Sequence, residues 1–284
     1  MDRTLEGWGS GLVGVAIFAG SLPATRVAVA DFSPLFLTGA RAVIAAVLAA
    51  AALLVLRQPL PARRDLGPLA VVALGVVVGF PLLTALALRH VTAAHAIVFV
   101  GLLPLATAVF GVIRGGERPR PAFWLFSGLG AATVAGFAAA RTEGGAAAAP
   151  MLAAILLCGL GYAEGARLSR RLGGWQVISW ALVLAAPVMA ALALADLPPS
   201  LGGVSAAGWL GLGYVAVFSM LIGFVFWYRG LARGGIAGVG QLQLIQPFLG
   251  LGLAALLLGE PVSWPMLASA CVVVLCVAGA KRFA

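Results

Sequence analysis

Ten stretches of about twenty apolar residues follow one another along this chain, parted by short segments that hold most of its charges. That alternation leaves few folds open. A bilayer core of about 30 Å is crossed by a helix of roughly 20 residues at 1.5 Å per residue. Composition agrees: 62% of the 284 residues are hydrophobic and 10% are charged, with mean hydropathy +1.09, whereas an average soluble domain is about 25% charged. In lipid every backbone N–H and C=O must be satisfied within the segment, so the expected class is an all-α integral membrane protein.

The ten runs lie near Gly11 to Val29, Leu35 to Leu56, Leu66 to Leu88, Ala93 to Ile113 and Phe123 to Ala140, then Pro150 to Arg167, Val177 to Ala195, Trp209 to Tyr228, Ile236 to Leu258 and Pro265 to Ala280. Helix-entry residues stand before several of them: Ser33 ahead of Pro34, Asp65, Thr92, and Ser263 two residues before Pro265. The connections leave no room for a soluble domain. Ala28-Val29-Ala30 before Asp31 imitates a leader cleavage site, but Asp2 and Glu6 outnumber Arg3, and Pro23 and Arg26 interrupt the run. The first run is therefore expected to stay as a span.

A net charge of +9 does not point to nucleic acid, because the basic residues are scattered between apolar runs with no aromatic-flanked patch. The charges read instead as orientation. With ten spans and an internal N-terminus, fourteen basic residues fall inside (Arg3; Arg57, Arg63, Arg64; Arg114, Arg118, Arg120; Arg167, Arg170, Arg171; Arg229, Arg233; Lys281, Arg282). Only Arg26, Arg89 and Arg141 fall outside, and Arg41 lies within the second run. Positive loops stay cytoplasmic, so both termini are expected there. Arginine in place of nearly all lysine, with abundant Ala and Gly, suits a GC-rich bacterial genome, and the ten apolar runs are expected to make the chain a multi-pass protein of the bacterial cell inner membrane. Cys158, Cys271 and Cys276 lie in apolar runs without metal-ligand spacing and are expected to be buried packing thiols.

The chain also repeats itself. Displacing it by 143 residues pairs Pro104 with Pro247, Gly116-Glu117 with Gly259-Glu260 and Ala135-Gly136 with Ala278-Gly279. Each half, residues 1–141 and 147–284, holds five runs, and an odd number inverts the second copy. The charges follow that inversion: the loop after the first Gly-Glu pair carries Arg118 and Arg120, and the loop after the second carries no basic residue. Two five-helix inverted-topology repeats are the architecture of alternating access, with a substrate site between the halves near the midplane.

A proline within a span thirteen residues before a Gly-Glu pair, closing each half of a ten-span chain, resembles the EamA family of the drug/metabolite transporter superfamily. Gly20-Ser21, Arg41, Trp227-Tyr228-Arg229-Gly230-Leu231 and Leu258-Gly259-Glu260-Pro261 extend the likeness over nearly the whole chain. Two positions depart from it: Gly161-Tyr162 stands where the family often has tryptophan, and Arg118 follows the first Gly-Glu where a hydrophobic residue is usual. The resemblance implies export of amino acids or other small metabolites, no cofactor, and a cavity lined mainly by spans 1, 3, 4, 6, 8 and 9. The implied partners are a small-molecule substrate and the lipid bilayer.

Intramembrane polar residues are the candidates for contact with that substrate. Gln243, Gln246, Pro247 and Gly250 share a helical face, while Gln241 points elsewhere. Pro247 would free the Gln243 carbonyl to accept from a substrate ammonium. The competing role for the glutamines is interhelical packing. His95 stands one turn into the fourth run as a possible carboxylate donor or proton acceptor. Tyr162, Ser21, Thr84 and Trp227 complete the candidate set. Each has a competing structural role: the aromatics, Tyr228 included, in an interfacial belt, the hydroxyls bonded back to the backbone. Arg41 is expected to reach outward as an anchor, and Glu164 to pair with Arg167 one turn away. Pro23, Pro81, Pro104 and Pro247 are expected bends where such a protein gates.

The residues do not assemble a catalytic set. No HExxH, paired CxxC or phosphate-cradling loop occurs, and Ser10 between Gly9 and Gly11 lacks a partnered His and Asp. No metal or cofactor site is expected. The alternatives to an amino-acid exporter are a lipophilic drug carrier, a nucleotide-sugar carrier, which would want several cavity cations, and an intramembrane hydrolase.

Overall fold

The structure, a computed structural model, describes residues 3–115, 120–139, 145–234 and 239–283. Among these residues there is no strand, and nearly all are helical. Seven helical rods are long and apolar enough to cross a membrane: Leu5–Asp31, Pro34–Val55, Arg63–Ala87, His95–Ile113, Ala147–Leu172, Gly174–Ala195 and Ala206–Arg233. Phe248–Leu258 and Trp264–Cys276 are shorter apolar helices, and Pro121–Ala139 is helical throughout. Leu54, Leu125, Leu210, Leu256 and Leu275 all stand exposed on the outside of the bundle. An apolar surface of that kind needs lipid to cover it.

Several rods are broken, and prolines account for four of the breaks. In the first run Arg3–Ala19 meets Ser21–Asp31 at Gly20, because Pro23 has no N–H for the Ala19 carbonyl. Arg63–Val72 passes through a π-helical stretch, Ala73–Gly79, before Phe80–Ala87, where Pro81 cannot donate to Val77. Ala93–Val100 and Leu103–Gly115 are joined by a turn at Gly101 and Leu102, ahead of Pro104. Gly240–Ile245 is a tight 3-10 turn that gives way to Gln246–Leu258 at Pro247. The eighth run carries a second π-helical stretch, Tyr214–Ile222, between Ala206–Gly213 and Gly223–Gly234, with no proline in it. Expanded turns of this type gather at functional sites.

The breaks recur along the chain. Helices begin at Arg63 and Ala206, at Leu103 and Gln246, and at Pro121 and Trp264, while the π-helical stretches end at Gly79 and Ile222; each pair is 143 residues apart. The Gly116-Glu117 pair, Arg118 and Arg141 lie outside the described residues.

The helices pack in pairs. Pro34–Val55 packs along Gly174–Ala195, Pro121–Ala139 along Trp264–Arg282, and Arg3–Ala19 along Gly223–Gly234. Gly145–Leu172 receives both Leu103–Gly115 and Phe80–Ala87. With lipid as apolar as leucine, such contacts rest on close backbone approach. A Cβ on Gly230 would stand 2.8 Å from the Gly11 nitrogen and 3.0 Å from the Gly7 carbonyl oxygen. Gly230→Val is therefore expected to cost about 1–3 kcal/mol, the usual penalty of overpacking, read as a lowered unfolding temperature in detergent. Gly9→Val, with nothing within 4 Å of its added Cβ, should leave that temperature nearly unchanged.

Polar contacts collect at the two ends of the bundle. At one end Arg171 pairs with the buried carboxylate of Asp65, Glu6 pairs with Arg233 and with Arg229 at 3.9 Å, and Gln176 donates to Gln58 at 3.1 Å. At the other end Ser33 donates to Asp196, Ser205 donates to Asp31, and Arg26 donates to the Leu88 carbonyl. There too the Ala93 N–H reaches Glu260. The cysteine expectation needs correction at one position. Cys158 and Cys276 are buried, but Cys271 lies on the exposed side of Trp264–Arg282, where lipid is an adequate apolar environment for a thiol.

Candidate functional site

The broken helices cross near the middle of the bundle and enclose a narrow cavity. Phe18, Ser21 and Leu22 line it from the first run, Val76, Phe80 and Pro81 from the third and Leu103 from the fourth. Opposite stand Cys158, Tyr162, Ser219, Met220, Phe224 and Gln246, and Arg41 enters from the second run. The void measures about 30 Å³. That is enough for a water molecule, and too little for an organic solute, so the structure shows this region closed.

Its polar wall is built by a few side chains. Ser21 Oγ and Ser219 Oγ share a hydrogen bond of 2.6 Å, and Arg41 Nη2 donates to Ser219 Oγ at 3.4 Å. Arg41 is only 5% exposed, and its Nε has no partner. The expectation that Arg41 reaches outward is thus overturned: the guanidinium turns inward onto a hydroxyl pair. Among the described residues lining the cavity it is the only charged one. Gln246 opens the helix Gln246–Leu258, and its buried Oε1 also lacks a partner.

Gln243 is buried beside the Tyr162 hydroxyl with its Nε2 unpaired, but it stands behind the cavity wall. Its carbonyl is not freed by Pro247. The 3-10 turn lets the Gln246 N–H close onto the Gln243 oxygen, so the missing proline donor is replaced by a neighbour.

Tyr162 belongs to an aromatic cluster with Phe18, Phe224 and Trp227, the Phe18 and Phe224 rings lying 4.9 Å apart and Tyr162 and Trp227 5.9 Å apart. Trp227 and Tyr228 are fully buried, which removes them from any interfacial belt. Trp227 Nε1 has no partner, and Tyr228 Oη approaches the Gly161 carbonyl at 3.4 Å.

Other sequence candidates are not brought to the cavity. His95 Nδ1 lies 2.7 Å from Thr92 Oγ1, which also accepts the His95 backbone N–H, so this pair caps the helix Ala93–Val100. Thr84 returns its hydroxyl to the carbonyls of Phe80 and Pro81. The side chains of Gln241 and Pro247 lie outside the described residues. Pro81 lines the cavity, whereas Pro23 and Pro104 stand next to lining residues. Glu164 meets Arg167 at 3.7 Å, as expected of an i, i+3 pair. Ser10 donates to the Phe226 carbonyl. Arg41, Ser219, Phe224 and Cys158 are among the lining residues that sequence reasoning did not place in the site. For Arg41 the signal was present, since a charge inside an apolar run is a functional candidate by default.

Known proteins point the same way. The EamA-like transporter family matches the chain twice, over residues 7–138 and 146–280. The uncharacterized transporter YdeK of Bacillus subtilis (strain 168) is 64% identical over 286 residues, covering 100% of both chains. A solved crystal structure with 23% sequence identity superposes with a TM-score of 0.67 over 96% of each chain, a likeness of fold.

Proposed function

Because the chain belongs to the EamA-like transporter family and is a multi-pass membrane protein, we propose that it exports amino acids or similar small metabolites across the bacterial inner membrane by alternating access. The observation that carries this reading is the central cavity. Unpaired buried hydrogen-bonding atoms of Arg41 and Gln246 stand around a void too small for a solute, at the point where interrupted helices meet. Buried polar atoms are ordinarily satisfied, so their lack of partners is a cost that a substrate would remove.

The mechanism follows from the repeat. Ten helices in two inverted halves, residues 1–141 and 147–284, would rock about the cavity, with both termini cytoplasmic. Support comes from helix starts recurring at 143 residues and from the family matching each half separately. Positions at that offset also meet in the cavity: Val76 with Ser219, Pro81 with Phe224, and Leu103 with Gln246. The first half supplies Val76 and Leu103 where the second supplies Ser219 and Gln246, while Ser21 and Arg41 of the first half complete the polar wall. Pro23, Pro81, Pro104 and Pro247 place flexible turns beside it, where opening to either face requires the least disruption of helix hydrogen bonding.

The aromatic cluster of Phe18, Tyr162, Phe224 and Trp227 favours a second reading, a carrier of lipophilic drugs. One experiment separates them. Purified protein in liposomes is loaded with unlabelled amino acids and assayed for counterflow of a radiolabelled amino-acid panel, with and without a pH gradient, beside ethidium. Counterflow of at least one amino acid is expected. Ethidium movement without any amino-acid counterflow would overturn the export reading in favour of the drug carrier.

A further inference from the structure

Arg41 is a buried cation with no counter-ion among the described residues. It enters the helix Pro34–Val55 seven residues after its start, about 10 Å along the axis. Among the described residues its one polar partner is the Ser219 hydroxyl, at 3.4 Å, and no carboxylate stands within 4.0 Å of it. A charge at such depth in a membrane protein normally pairs or faces a wet pathway. Here the guanidinium lines the cavity, leaves Nε unbonded and keeps most of its five donors available. A planar fork of N–H groups is the side chain best matched to a carboxylate, which it binds through two parallel hydrogen bonds.

The second unpaired atom on the wall sets what the rest of the ligand must offer. Gln246 Oε1 only accepts, so it asks for an N–H or O–H on the ligand. Leu22, Phe80, Leu103, Met220 and Phe224 offer only apolar surface to the remainder. Among the described residues no lining side chain carries a negative charge that would answer a cationic solute.

We propose that Arg41 binds the carboxylate of the transported solute and Gln246 accepts from the group on the adjacent carbon, so that the substrates are α-amino and α-hydroxy acids with apolar side chains. This rests on the transport reading above and narrows it. The transported molecule supplies the counter-ion that Arg41 lacks, and simple amines and amides are rejected because they leave the cation unneutralised.

The test uses purified full-length protein and ligands that share one side chain: L-leucine, leucic acid, isocaproate, L-leucinamide and isoamylamine. Binding is read as a ligand-dependent rise in unfolding temperature. The three acids are expected to stabilise the wild-type protein, with leucine and leucic acid half-saturating at about tenfold lower concentration than isocaproate, the increment of one good hydrogen bond. Leucinamide and isoamylamine should have no effect.

Arg41→Gln should unfold at a higher temperature than wild type without ligand, since an unneutralised buried charge is gone, and should no longer respond to any acid. Gln246→Leu should keep the response to isocaproate and lose the preference for the other two acids. Arg41→Lys, which keeps the charge should the glutamine variant fail to insert, is expected to weaken acid binding at least about tenfold, because a point charge does not replace the fork.

Equal stabilisation by leucine and leucinamide, no stabilisation by any acid, or wild-type acid binding in Arg41→Lys would overturn the assignment. So would a chloride titration that reproduces the acid response and abolishes it, marking Arg41 as an inorganic-anion site. Counterflow keeps the two readings apart. Normal amino-acid transport by Arg41→Gln would remove the carboxylate role and leave the transporter intact, whereas absence of amino-acid transport by wild type would remove the transport reading itself.

Discussion

Ser219→Phe is expected to reduce counterflow to the level of protein-free liposomes while the protein still inserts and purifies as a folded species. Ser219 stands where three parts of the cavity meet: its hydroxyl bonds Ser21 at 2.6 Å and receives Arg41 at 3.4 Å. The void beside it measures about 30 Å³, less than a phenyl ring requires. The ring would therefore displace the Ser21 hydroxyl, cover the guanidinium and occupy the place of the solute in any state that leaves this wall intact. Overpacking of this kind costs about 1–3 kcal/mol, less than the roughly 5–15 kcal/mol that holds a typical folded domain. Loss of transport is thus separable from loss of fold. Val188→Phe supplies the comparison, because Val188 is 63% exposed on the outside of the bundle and a larger apolar group there meets only lipid. Wild-type transport by Ser219→Phe would show that the solute does not pass this wall.

The helices were legible from sequence for a simple reason. Depth along a membrane helix is set by residue count, and the runs of apolar residues give that count directly. The breaks were legible too: Pro23, Pro81, Pro104 and Pro247 each remove one backbone donor, and a turn or a change of helix type stands one turn earlier in every case. What depth does not give is rotation. In a soluble protein the polar stripe of a helix tells which side faces water, but here lipid and protein interior are both apolar, so that signal fades.

Arg41 illustrates the loss. Its place seven residues into the helix agrees with the sequence reading, but nothing in Pro34–Val55 told whether it turned to lipid or to Ser219. Trp227 and Tyr228 were ambiguous for the same reason: the apolar run ends at Tyr228, but the helix continues to Gly234 and both side chains turn fully inward. Cys271 went the other way and faces outward. Gln243 exposes a different gap. An α-helical face groups it with Gln246, but the 3-10 turn through Gly240–Ile245 changes the rotation per residue, leaving Gln246 on the cavity wall and Gln243 behind it. The π-helical stretch Tyr214–Ile222 carries no proline to announce it, and its partner, Ala73–Gly79, was needed to see that it recurs.

That recurrence also indicates how a polar wall is tolerated at Gln246. The position 143 residues earlier is Leu103, which is 1% exposed and packs without difficulty. Gln246→Leu therefore places at this position a side chain that the same architecture already accommodates, and the variant is expected to insert and unfold as wild type does. Its transport should nevertheless fall. The amide oxygen has no partner in the closed structure, so its hydrogen bond is available only to the solute or to water.

Removing one partner of a buried hydrogen bond leaves the other unsatisfied, at a cost of about 1–3 kcal/mol, which corresponds to a drop of roughly 5- to 150-fold in kcat/KM. Gln243→Leu tests whether position on the wall matters more than residue type. Being behind the wall and next to Tyr162, it should lower transport by a smaller factor than Gln246→Leu. Counterflow measured at matched protein levels over a range of amino-acid concentrations decides between them. Equal loss in both variants would assign the glutamines to a shared structural network, and wild-type kinetics in Gln246→Leu would take Gln246 out of the substrate path altogether.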